Sequence, residues 1–87
     1  MERPGQELID DGLRDLERGI ESIEALLVSI GAPRLARLGV PVRATLLEPE
    51  TKLYELLAAD DSDSAHSRYN ALVRRLVSFE RAAECAS

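Results

Sequence analysis

Residues 9–30, IDDGLRDLERGIESIEALLVSI, place Ile9, Leu13, Leu16, Ile20, Ile23, Leu27 and Ile30 at alternating steps of four and three. That rhythm returns every one of these side chains to a single stripe of a helix, whereas a strand would alternate at every second position. The same steps recur in Tyr69, Leu72, Leu76, Phe79, Ala83 and Ala86. Each stripe has to be buried against another helix, which makes the chain all-α.

Working outward from these stripes gives the helix boundaries. Pro4 suits a first helical turn, and Glu7, Asp10 and Asp11 lie where the helix dipole favours negative charge. The rhythm carries a first helix over about 25 residues to Gly31-Ala32-Pro33, a sequence that favours a left-handed cap and then a proline stop. Residues 33–38 form a short helix ended by Gly39 and Pro41, while 42–47 reads equally as a helical turn or as a connector. Pro49 opens a third helix with Leu53, Leu56 and Leu57 on its apolar side, and Asp60-Asp61-Ser62-Asp63-Ser64 is a turn rich in capping residues before the last helix. The expectation is one domain over residues 1–87, a small antiparallel bundle of three long helices and one short helix.

Composition narrows the function classes. A 45% hydrophobic and 31% charged chain belongs to a folded globular domain. Its longest wholly apolar run, Ala25 to Val28, is far below the ~20 residues of a membrane span, and acidic Met1 to Glu7 lacks a leader's basic start, so a cytoplasmic location is expected. Cys85 is the only cysteine, which leaves no intrachain disulfide. Ten arginines against one lysine hint at a GC-rich bacterial genome. The net charge of −5 argues against non-specific nucleic-acid binding, but the charges are segregated along the chain. Met1 to Glu24 holds eight acids and three arginines, whereas Ser64 to Ser87 holds four arginines and only Glu80 and Glu84. Asp10, Glu17 and Glu24 flank the first stripe, and Arg68 and Arg75 flank the last. Opposite flanks of opposite charge would suit a parallel pairing of those two helices.

No constellation specifies a chemistry. His66, with Asp63 three residues before it, has the spacing of a helical di-metal ligand pair, but the first stripe offers no inward carboxylates to complete the set. Glu17 and Glu21 lie one turn apart on a polar side where nothing would raise a pKa for acid–base work. There is no phosphate-cradling glycine loop, nucleophile elbow or zinc-ligand set. The expectation is a protein that is not an enzyme, with no cofactor, metal or small-molecule substrate.

Two binding readings follow. In the first, Gly12 and Gly19 sit seven residues apart beside the first stripe, each costing about 0.8 to 1 kcal/mol in a helix interior, which a closely approaching helix would explain. A protein partner or a second copy would then meet Gly12, Leu16, Gly19, Ile23 and Leu26, with Val73 and Val77 of the last helix as a further face. The chain is accordingly expected to be a small interaction module of the regulator, antagonist or co-chaperone kind. In the second, residues 33–47, with Leu35-Ala36-Arg37-Leu38-Gly39-Val40-Pro41, resemble the helix and tight turn of helix-turn-helix DNA-binding domains. That resemblance implies phosphate contacts from Arg34, Arg37 and Arg43, which a plain connector would instead carry as exposed solubilising charges.

Overall fold

The computed structural model describes residues 3–86, so Met1 and Glu2 of the stretch read for a leader, and Ser87, lie outside it. Four helices follow in order: α1 (Gln6–Glu17), α2 (Ile23–Arg37), α3 (Pro49–Asp60) and α4 (Ala65–Ala86), with no strand among the described residues. The all-α bundle is as the stripes predict. Its division into helices is not.

The expected 25-residue first helix breaks at Gly19. This glycine has φ +71, its N–H donates to the Leu16 carbonyl at 3.2 Å, and the Ile20 N–H donates to the Asp15 carbonyl at 2.8 Å. These are the paired bonds of a Schellman helix end, which needs a left-handed residue at the glycine position. Ser22 then caps α2 by accepting from the Ala25 N–H at 3.0 Å, while its hydroxyl donates to Asp15 Oδ2 at 2.6 Å. The periodicity survives the break because each helix keeps its own share of the stripe. Ile9, Leu16 and Leu27 are buried, Leu13, Ile23 and Ile30 pack against the core, and Ile20, caught in the turn, is 46% exposed.

The expected stop at Gly31-Ala32-Pro33 lies inside α2. A proline there deprives the Ser29 carbonyl of its helical donor and, with the glycine, costs about 4 kcal/mol of propensity. Packing outweighs this. Ala25, Leu26, Leu27, Val28, Ser29, Gly31, Ala32 and Leu35 are all buried, so the middle of α2 is enclosed all round while Pro33, Ala36 and Arg37 face solvent, and each large buried side chain gains roughly 1.5 to 3 kcal/mol. Gly31 also lets α4 come close: a Cβ there would lie 2.8 Å from Leu76 Cδ1 and 3.2 Å from Glu80 Oε2. The supposed short helix is therefore the last part of α2. It ends where Gly39 predicts, with φ +90 and a second Schellman pair, Gly39 N–H to Ala36 and Val40 N–H to Leu35.

Because the neighbour of Gly31 is the movable end of Leu76, a methyl group there should trade a clash against better helix propensity. Gly31→Ala is expected to be more favourable in a Leu76→Ala background than in wild type by at least ~0.5 kcal/mol, as contacting residues couple. Additive denaturation midpoints in that cycle would mean that the two side chains do not meet.

After Gly39, residues 40–46 form no helix. Val40, Val42 and Leu46 pack this strap onto the core, and the Leu46 N–H donates to Ser29 Oγ at 3.0 Å. Pro49 does open α3, but only Leu53 and Leu57 are buried there, and Leu56 faces solvent at 40% exposure. On α4, Leu76, Phe79 and Ala83 are buried as the second stripe predicts. The central α2 packs against α1, α3 and α4.

Candidate functional site

The close approach expected at Gly12 is real, but it comes from this chain. A Cβ on Gly12 would collide with the carbonyl of Glu24 and with Val28 Cγ2, both on α2. Leu16 and Leu26 are likewise buried inside the bundle, so these three positions are not available to a partner in this fold. Gly19 has nothing around it within 4 Å and serves the turn. The physical reason is the break itself: once the chain reverses there, α2 covers the stripe that a continuous helix would have left open. Of the expected interface residues, Gly19 is exposed in the turn, and Ile23, Val73 and Val77 remain partly accessible.

Ile23 belongs to a groove of about 330 Å³ that runs beside α4. Arg68, Ala71, Leu72 and Arg75 line it from α4 at i, i+3, i+4 and i+7, the spacing of one helix face. Leu8 lines it from α1, and Ile23 with Glu24 from the first turn of α2. Two backbone features place these walls. The Ser22 cap starts α2 immediately before Ile23. At the head of α1, Gly5 sits so close to α4 that its Cβ would be 3.0 Å from the Arg75 carbonyl.

The charge flanks read from the sequence meet here in part. Glu24 shares the groove with Arg68 and Arg75, yet among the described residues no ion pair joins them: Arg68 donates to Asp60 Oδ2 at 2.7 Å instead. Asp10 accepts from Gln6 within α1, and Glu17 is exposed. The groove therefore holds two guanidinium groups against one carboxylate on a chain whose net charge is −5. Leu8 is read from the sequence as widening the first stripe, whereas Ala71 is not singled out. Ala71 lies just off the α4 stripe, and the available signal was its spacing from Arg68 and Arg75.

The arginines of the helix-turn-helix reading are dispersed. Arg34 donates to Glu84 Oε2 at 2.7 Å and lies 4.0 Å from Glu80 Oε1, whereas Arg37 and Arg43 are exposed. With residues 40–46 outside any helix, the segment supplies no second helix after the Gly39 turn. Arg34 is thus a partner of α4 and not a plain surface charge.

Among the described residues Glu80 is the buried acid, at 4% exposure. Burial raises its carboxyl above the ordinary glutamate range, and Arg34 opposes this from the rim. Between the unfolded and the raised folded pKa the folded state holds more protons, so this group's stabilisation is full at low pH and is lost as pH rises through the folded pKa. In paired denaturation experiments, the stability of wild type minus that of Glu80→Gln should fall as pH is taken from about 4 to about 7. A flat or rising difference would contradict the assignment.

The remaining titratable groups form no further site. His66 is exposed with its Nε2 3.2 Å from Asn70 Nδ2, Cys85 is exposed, and the described residues contain no cluster of three metal-ligating side chains. The rings of Tyr54 and Tyr69 meet between α3 and α4 with centroids 5.9 Å apart and planes tilted by 56°, and the Tyr69 hydroxyl is raised by burial and then by Glu50. No helix among the described residues is long and apolar enough to cross a membrane. Compared with protein-family models, with curated proteins and with solved structures, the chain matches none.

Proposed function

We propose that this chain is a small helical protein–protein interaction module, not an enzyme, and that it works through the apolar groove beside α4. The supporting observation is the groove itself: Ile23, Ala71 and Leu72 offer an accessible apolar floor, with buried Leu8 behind them, in a bundle whose other stripes are filled by its own helices. Its titratable groups are two arginines and one glutamate, which suit recognition of a charged partner. A cytoplasmic setting belongs to the same proposal, because a lone exposed Cys85 fits a reducing compartment.

Ala71 is exposed, so Ala71→Arg should fill the groove while leaving the fold intact. Proteins captured by wild type and by the distant control Glu55→Arg, but lost from Ala71→Arg, are the expected result. Identical capture by all three would overturn the reading. Light scattering after gel filtration tells a second copy from another protein: a dimer that Ala71→Arg dissociates would make the partner a second copy.

A further inference from the structure

Three features stand outside the packing already accounted for: the hollow around Arg34, Arg37 and Glu84, the aromatic pair of exposed Tyr54 and half-buried Tyr69, and the charge pattern of the α4 groove. In the first, Arg34 is already paired with Glu84, and the second shows no complementary chemistry. The third specifies an occupant.

We infer that the groove receives the apolar face of an acidic amphipathic helix from another protein, with the acids of that helix lying against Arg75 and Arg68. This rests on the interaction-module reading and names the partner's chemistry. The groove follows α4 through i, i+3, i+4 and i+7, so a second helix laid alongside can set aliphatic side chains over Leu8, Ile23, Ala71 and Leu72 along its length. Arg75 is exposed and has no ion pair among the described residues, while Arg68 keeps only the exposed Asp60 as a partner. Beyond the groove, Arg74 and Arg81 extend the exposed positive charge of α4, and of the two acids on this helix Glu80 is buried. This basic face stands on a strongly acidic chain, and Glu24 lines the α2 wall, so the preferred partner carries its acids on the flank facing α4 and not on the other. A second copy does not meet this description. Its α1 has Ile9 and Leu16 buried against its own chain, and its α3, which is also acidic, has Leu53 and Leu57 buried and shows only Tyr54 and Leu56 of its larger apolar side chains.

The test uses two synthetic helices of about five turns that share one leucine stripe, one with glutamates and one with lysines along the same flank, and glutamine on the other flank of both. Fluorescence anisotropy at low salt should show the glutamate helix binding at least about tenfold more tightly, with the advantage shrinking as salt screens the exposed charges. Arg75→Glu should cancel or reverse the preference, and Ala71→Arg, checked for an unchanged melting curve, should abolish binding. Equal affinities, a preference for the lysine helix, or a preference unmoved by Arg75→Glu would each overturn the inference. If binding is still lost in Ala71→Arg in those cases, the groove remains an interaction site and only the acidic partner falls. Absence of binding by either helix up to about millimolar concentration also overturns it. Should protein capture by Ala71→Arg then equal that of wild type, the module reading falls as well.

Discussion

Gly12→Leu is expected to lower stability by about 3 kcal/mol or more. A Cβ at this position meets the Glu24 carbonyl, which is backbone and cannot rotate away, as well as Val28 Cγ2. Relief would require α1 and α2 to separate, exposing Ile9 and Val28, which are 1% and 0% exposed. The whole fold of 87 residues should be worth roughly 4 to 13 kcal/mol, so a loss of this size is a large part of it. Gly12→Ala provides a gentler version that keeps the folded state measurable. Intrinsic helix propensity favours alanine by about 1 kcal/mol, so a destabilised alanine variant in urea denaturation would report the clash alone. A stabilised one would mean that the two helices do not touch there. Gly19→Ala makes a useful contrast, because nothing surrounds that residue and the expected cost comes only from its φ of +71.

Phe79→Ala is the second large effect, with an expected loss of ~3 to 5 kcal/mol. Phe79 is the largest of the fully buried side chains, and its Cβ lies 3.6 Å from where a Gly5 Cβ would be. Removing the ring leaves a cavity where α4 meets the head of α1. Both helices line the groove, so the variant should also loosen the Leu8 wall opposite Leu72. Chemical denaturation gives the stability loss, and Ser78→Ala, the exposed neighbour, should stay within about 0.5 kcal/mol of wild type. A Phe79→Ala loss as small as that of Ser78→Ala would remove Phe79 from the core.

Local signals sufficed for much of this architecture. The three-four rhythm reports helices because side-chain period is a property of the backbone alone, and it correctly marks Leu27, Leu76, Phe79 and Ala83 as interior. Gly39, Pro49 and the run from Asp60 to Ser64 mark helix ends in the structure as they do in the sequence. The groove was legible only in fragments. Ile23, Leu8 and the charges Glu24, Arg68 and Arg75 stand on or beside the stripes, whereas Ala71 acquires its meaning from a neighbour that periodicity does not name.

Gly19 and Gly31 show most clearly where local reading ends. Gly31, followed by Pro33, carries the stronger stop signal, yet α2 passes through both, while the chain turns at Gly19 in the middle of an unbroken stripe. The sequence by itself determined that the chain is helical, which side chains are apolar enough to seek the interior, and which residues permit a left-handed turn. Tertiary structure alone decided which of those turns is taken. Continuing past Gly31 buries Ala32 and Leu35 and lets Leu76 approach, and that gain offsets a propensity cost of about 4 kcal/mol. Continuing past Gly19 would keep α2 from folding back over α1, leaving Ile9 and Leu16 without the cover that buries them. Helix propensity is summed over neighbours in sequence, whereas burial is summed over neighbours in space, and in this chain the second sum is the larger.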